Sequence, residues 1–179
     1  MKPVVLKSKR LTLRPPAESD AERLFQLIGN YEVSKMLSVV PYPYTLDDAG
    51  WWLGQIASDD KAGECAFAID DGTGLIGAVS FRCPGTDPLL GYWLGEPYWG
   101  RGYMTEAART ALDWFFSVSD AQVIESGALD ENPASMSVLT KLGFGHGVAR
   151  ELNVRARGKV MASTRVFLSR EEFVAGETA

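Results

Sequence analysis

GYWLGEPYWGRGYMTEA, residues Gly91 to Ala107, is the stretch whose reading decides the fold. The apolar and aromatic run Leu89 to Leu94 has the length of a buried strand, and a turn through Gly95 and Pro97 follows it. Gly100-Arg101-Gly102 then opens a helix. That order makes an anion site. The first helical N–H groups lack intrahelical acceptors, the helix dipole adds partial positive charge, and glycine lets the backbone approach a phosphate closely. A diphosphate suits such a turn. A Gly-x-Gly before a helix also fits a plain strand-turn-helix, so the rest of the chain has to decide.

Downstream, Met104, Ala107, Ala108, Ala111, Leu112, Phe115 and Phe116 recur at helical spacing and predict a helix whose inner face packs on a sheet. Val123-Ile124 and Ala128-Leu129 mark the next strand. Asp130-Glu131-Asn132-Pro133 opens a helix with proline in its first turn, which runs to Leu142 and stops at Gly143. Phe144 to Leu152 and Val160 to Leu168 read as two antiparallel strands around a turn near Gly158-Lys159.

Upstream, Arg10 to Arg14 alternate as a half-buried strand that Pro15-Pro16 ends. Ser19-Asp20 cap a helix carrying Leu24, Phe25, Leu27 and Ile28, with a stop at Gly29-Asn30 and a short helix from Tyr31 to Leu37. Thr45-Leu46-Asp47-Asp48 has the form of a capping box before a helix that bears Trp51, Trp52 and Ile56. Cys65 to Ile69 and Leu75 to Phe81 form a hairpin around Asp70-Asp71-Gly72-Thr73-Gly74, and Arg82 to Pro88 is a loop.

Two blocks of this chain resemble the GCN5-related N-acetyltransferases, the GNAT superfamily, and in particular the branch that acetylates ribosomal-protein N-termini. The first runs through Gly91 to Leu94, Tyr98 to Tyr103 and Thr105 to Ala107. The second is Asn132, Ser135 and Lys141-Leu142-Gly143-Phe144, in the right order and at the usual separation. The resemblance implies one α/β (α+β) domain over residues 1–179. Its mixed, mainly antiparallel sheet would carry helices on both faces and splay between Leu89–Leu94 and Val123–Leu129. It implies acetyl-CoA (coenzyme A) as cosubstrate, with the pyrophosphate on Gly100, Arg101, Gly102, Met104 and Thr105 and an N–H from Leu94 or its neighbours on the thioester carbonyl. Asn132 would hold the pantetheine arm or the acceptor, and Ser135 would hydrogen-bond the sulfur. Leu139 stands where many members carry a tyrosine acid, and Trp99 and Met104 depart from the general loop pattern.

Other roles stay open for these residues. Arg101 is a phosphate contact or an ordinary exposed cation; Asn132 also suits a helix cap, with Ser135 bonding back to it. Tyr42, Tyr44, Trp51 and Trp52 line an acceptor pocket in one reading and serve packing in the other. Glu151 and Glu125 are the candidates for general base, each equally readable as a surface charge. A site without a strong base favours an acceptor of low basicity. An α-amine of pKa near 8 is about 10% neutral at pH 7, a cost of about 1.4 kcal/mol, against roughly 4.6 kcal/mol for a lysine. The expected acceptor is therefore a peptide N-terminus, with a small amine (polyamine or antibiotic) or a non-catalytic acyl-CoA-binding domain as alternatives.

Composition excludes several other classes. With 179 residues and 46% hydrophobic content the chain can bury one sizeable core. A net charge of −5 and the lack of a basic run argue against direct nucleic-acid binding. Cys65 and Cys83 have no metal-ligand spacing and a single histidine, His146, leaves no four-ligand set, so reduced cysteines and no metal are expected. Neither a Gly-x-Ser-x-Gly elbow nor a P-loop Lys-Ser/Thr is present. The N-terminus lacks a signal-peptide core and no run approaches the roughly 20 apolar residues of a membrane span. A cytoplasmic monomer or homodimer is expected.

Overall fold

The computed structural model describes residues 4–57, 64–82 and 87–177. Cys83 and most of the loop expected before Pro88 fall outside them. Eight strands make one sheet: β1 (Leu6–Lys7), β2 (Thr12–Arg14), β3 (Glu64–Asp70), β4 (Leu75–Arg82), β5 (Leu89–Leu94), β6 (Val123–Leu129), β7 (Gly145–Val154) and β8 (Lys159–Ser169). Their spatial order is β1-β2-β3-β4-β5-β6-β8-β7. Every neighbouring pair is antiparallel except β5 and β6, which run parallel and are in register only at Leu89 and Glu125. Beyond that point the two strands part, as the splay requires.

Strand alternation sends Leu90, Tyr92 and Leu94 to one face of the sheet, opposite Phe81, Val79 and Gly77. Helix α4 (Tyr103–Val118) covers this face. Its alanines, Ala107, Ala108 and Ala111, allow close approach, and Leu112 and Phe115 are buried against Phe67, Phe81 and Ile124. The rings of Phe81 and Phe115 stack with centroids 4.2 Å apart. Truncating either ring to alanine would cost about 3–5 kcal/mol. The other face carries α1 (Ala21–Ile28), α2 (Tyr31–Ser34) and α3 (Leu46–Ala57), whose Leu24, Ile28, Val33, Ala49 and Leu53 form a second core with Trp52 and Trp93 packed against it. Helices thus lie on both faces.

Local chemistry sets the element ends. Thr45 and Asp48 close the expected capping box: the Thr45 N–H donates to Asp48 Oδ2 at 2.9 Å and the Asp48 N–H to Thr45 Oγ1 at 3.1 Å. Gly72 and Gly74 take positive φ in the β3–β4 turn, where Asp70 Oδ1 accepts both of their N–H groups. Asp20 does not cap α1 as its position suggests. It ends a 3-10 turn, is buried, and accepts two bonds from Arg14 at 2.8 Å each, together with the Ala17 N–H. Burial raises this carboxyl, but Arg14 and the Ala17 amide lower it further, leaving it below the usual carboxylate range.

The first strand is shorter than the alternation from Arg10 predicts, because Ser8 and Arg10 turn toward α4 instead. Likewise the helix expected from Tyr31 to Leu37 is one turn, ending at Ser34. Strand β1 and the C-terminal helix α6 (Arg170–Glu177) were not predicted. Arg170 at the start of α6 donates to the carbonyls of Phe116, Ser119 and Ala121, satisfying acceptors at and beyond the end of α4. Among the described residues no helix is long and apolar enough to cross a membrane.

Candidate active site

Where β5 and β6 part, a cavity of about 1270 Å³ opens through the sheet. Its wall on one side of the gap includes Leu94, Gly100, Gly102, Met104 and Thr105, and on the other Asn132 and Ser135. The sequence-predicted loop and the second block thus meet at one cavity, although about 30 residues separate them along the chain.

Gly100 and Gly102 both adopt left-handed backbone, with φ of 74° and 75°. A side chain at Gly100 would meet nothing within 4 Å, so the backbone there is open to a ligand. The first α-helical bond runs from the Glu106 N–H to the Gly102 carbonyl, leaving the amides of Tyr103, Met104 and Thr105 without intrahelical acceptors at the positive end of the dipole. This donor set fits a diphosphate. Met104 is helical and buried, so its bulk points into the core and leaves its amide available.

The loop is braced from the N-terminal segment. Arg10 donates to Glu106 Oε2 at 2.7 Å and to the Arg101 carbonyl at 2.9 Å, and its guanidinium lies over the Tyr103 ring at 4.6 Å. The Ser8 hydroxyl and the Arg10 N–H both donate to Glu106 Oε1 at 2.8 Å. Burial raises the Glu106 carboxyl, while these bonds lower it by more. Arg101 itself is exposed and lies outside the cavity wall, so its main-chain carbonyl is what the brace fixes.

On the strand side, the Trp99 indole N–H donates to the Leu94 carbonyl at 2.7 Å and ties the turn to the end of β5. Trp99 thereby has a structural job at the place where the general pattern has a polar residue. Gly95 N–H bonds the Ile76 carbonyl on the β4 side, while Ser126 Oγ reaches the Leu90 carbonyl across the parting at 3.0 Å. Alternation therefore turns the N–H groups of Tyr92 and Leu94 toward the gap.

Asn132 caps α5 (Pro133–Lys141) through its Oδ1, which accepts the Ser135 N–H at 3.1 Å, and the residue also lines the cavity. The cap and a place at the cavity are thus compatible. Ser135 has a partner that sequence reasoning missed. Tyr92 Oη stands 2.9 Å from Ser135 Oγ and 3.1 Å from the Ser135 carbonyl. Burial pushes the Tyr92 hydroxyl up to about 12, against the lowering effect of its bond to Ser135, so it stays protonated at neutral pH. Leu139, at the position of the usual tyrosine acid, is fully buried in the core.

The candidate bases are placed elsewhere. Glu151 is exposed and absent from the cavity wall; its neighbours Arg150 and Leu152 alternate onto the wall instead. Glu125 is engaged by Arg165 Nη1 at 3.2 Å, with Arg150 Nη1 at 4.0 Å. The structure does not bring either carboxylate to Ser135. Trp51 and Trp52 both line the cavity, Trp52 also packing on the second core and Trp51 standing 64% exposed, so the pair divides between the two roles considered for it.

A splayed mixed sheet, a glycine turn feeding free helix amides and a serine across the gap define an acyl-CoA-dependent transferase. The family model described as "Acetyltransferase (GNAT) domain" matches residues 10–145, and the chain belongs to that family. It is similar to "Probable N-acetyltransferase YjcK" of Bacillus subtilis (strain 168), 31% identical over 167 residues, with 86% of this chain and 91% of the relative covered. The same fold recurs in the ribosomal-protein-S5-alanine acetyltransferase of Vibrio fischeri, with a TM-score of 0.78, 20% identity and coverage of 95% of this chain and 98% of that one. It recurs in the spermidine N-acetyltransferase of Vibrio cholerae, solved with CoA and spermine, with a TM-score of 0.76, 19% identity and coverage of 93% and 99%.

Proposed function

We propose that this acetyltransferase moves the acetyl group of acetyl-CoA onto a primary amine of low basicity, such as the α-amine of a peptide, by direct attack within a ternary complex. The observation that carries the reading is the Tyr92–Ser135 pair, set beside the strand gap in the same cavity as the free amides of α4. Acetyl-CoA, when bound, supplies an activated thioester.

The protein's part is positioning and polarisation. Backbone amides of Tyr103, Met104 and Thr105 hold the diphosphate, and the N–H of Leu94 or Tyr92 polarises the thioester carbonyl. The amine nitrogen bonds to the carbonyl carbon, the carbon–sulfur bond breaks, the amine gives up one proton and the departing thiolate gains one. Ser135 donates a hydrogen bond to that sulfur, and Tyr92, whose Oη stands 2.9 Å from Ser135 Oγ and 3.1 Å from the Ser135 carbonyl, holds the serine in place beside it. No cavity-wall carboxylate among the described residues is bonded to Ser135, so the amine must arrive neutral at modest cost, which favours an α-amine over lysine by about 3 kcal/mol. The names of the fold neighbours include both a protein and a polyamine acetyltransferase, so the acceptor has to be tested directly.

The test is thiol release from acetyl-CoA across a panel of α-amino peptides, ε-lysyl peptides and polyamines, with the products weighed by mass spectrometry. Turnover of α-amines above the rest is expected. Turnover of ε-lysyl peptides alone would refute the preference.

A further inference from the structure

The acceptor half of the cavity lies on the sheet face opposite α4. Trp52 of α3, Trp93 of β5 and Leu129 of β6 make it apolar, and Leu152 of β7 closes one side. Arg150 stands in this wall. It lies in register with Ser163 of β8, which itself pairs with Leu129, so it occupies the same sheet face as the end of β6.

Arg150 is incompletely paired. Its Nε is buried without a hydrogen-bond partner, and its Nη1 lies 4.0 Å from Glu125 Oε1, too far for a hydrogen bond. Glu125 is shared with Arg165, whose Nη1 is nearer at 3.2 Å and whose Nε is also buried and unpartnered. Two guanidiniums thus share one carboxylate. Elsewhere on the wall, Arg155 holds the Val39 carbonyl at 3.2 Å, and Arg82 makes no ion pair among the described residues, although Glu64 lies across from it in register. The wall carboxylates lie elsewhere: Asp48 accepts from the Thr45 N–H and hydroxyl, Glu131 pairs with Arg157, and Glu64 stands in register with Arg82.

We infer that the acceptor amine carries an anionic group, a carboxylate or a phosphate, that docks on Arg150. This rests on the transferase reading above and narrows its substrate class. The Arg150 side chain stands 31% exposed, so its Nη groups can turn to an anion's oxygens, and doing so draws the guanidinium from a position that leaves its buried Nε unpaired at a cost. A cationic acceptor arm placed beside Arg150 meets like charge instead, which works against polyamines there.

The experiment compares matched amines with wild-type protein and Arg150→Gln: Met-Phe against Met-Phe amide, phenylalanine against phenylalanine amide, phosphoethanolamine against ethanolamine, with spermidine as the cationic probe. The quantity read is the ratio of kcat/KM for the anionic amine over its neutral partner, wild type divided by variant, which cancels differences in amine basicity. A double ratio of tenfold or more is expected for at least one pair, and which pair responds tells carboxylate from phosphate. Double ratios within twofold for every pair, or spermidine as the best acceptor, would overturn the inference. Calorimetry with acetyl-CoA checks that the variant keeps its fold. If every amine is inert while acetyl-CoA still binds, the transferase reading fails by itself. The anion site is then judged by binding of N-acetylphenylalanine against N-acetylphenylalanine amide to the CoA-loaded wild type, where equal affinity overturns it and a tenfold preference for the acid supports it.

Discussion

Removing one oxygen atom, by Tyr92→Phe, tests the catalytic assignment most directly. The phenyl ring keeps its packing against the main core, so the loss falls on the contacts of Tyr92 Oη with Ser135, 2.9 Å to Oγ and 3.1 Å to the carbonyl, of which the first touches the reacting group. A neutral hydrogen bond of this kind is worth about 1 kcal/mol, which corresponds to a fivefold to tenfold slower chemical step. Ser135→Ala deletes the donor to the departing sulfur, a bond to a charged group worth about 1.5–3 kcal/mol, or roughly 10- to 150-fold. Because the tyrosine acts through the serine, the double variant should be no slower than Ser135→Ala within about twofold. Single-turnover acetyl transfer at saturating acetyl-CoA isolates the step, and calorimetry should find CoA affinity nearly unchanged by Tyr92→Phe. The reasoning is refuted if Tyr92→Phe slows transfer as much in the Ser135→Ala background as in the wild type.

Gly102→Ala should weaken acetyl-CoA binding and lower the melting temperature. Its Cβ would meet Arg10 Nη2 at an ordinary 3.5 Å, so the cost is the left-handed backbone, about 1–2 kcal/mol or about 2–8 °C. Calorimetry and a melting curve check both. For an α-amino peptide, kcat/KM should rise tenfold per pH unit and level off near pH 8, with no fall from Tyr92 below about pH 11, since its hydroxyl stands near 12. Asp20 gives an acid-linked stability. Its folded pKa lies below the unfolded value of about 3.9, so its contribution is complete above about pH 5 and is lost as pH falls through the lowered folded value. Asp20→Asn should cost about 3 kcal/mol in urea unfolding at pH 7, and the gap to wild type should shrink as the pH drops below 4.

The parts of this site that are local in sequence could be read from it. Two glycines before an amphipathic run specify a helix mouth, and Asn132 and Ser135, three apart, fall on one helical turn whatever the tertiary structure does. Tyr92 could not be found that way. Alternation puts it on the same face as Leu90 and Leu94, but only the packing of α5 onto that face brings Ser135 to it from 43 residues away. Glu151 lies off the cavity wall for a related reason. Period-two alternation separates it from Arg150 and Leu152 without saying which set meets the cavity, and tertiary packing chose the latter. Asp20 looked like a helix cap, yet a nearby arginine outbid the helix amides for its oxygens. Strand β1, at two residues, is too short to carry a period, and α6 has a weak apolar stripe around Phe173.

Sheets ordinarily leave main-chain groups unpaired along their outermost strands. Here, by contrast, β5 and β6 separate after a single registered pair, and two such margins face one another inside an eight-stranded array. An extended ligand rich in amide bonds can lie there as a guest strand, taking up donors that water otherwise serves. Deuterium labelling should therefore find the Tyr92 and Leu94 amides fast-exchanging in the free protein, though they belong to a central strand, and markedly slowed once CoA fills the breach.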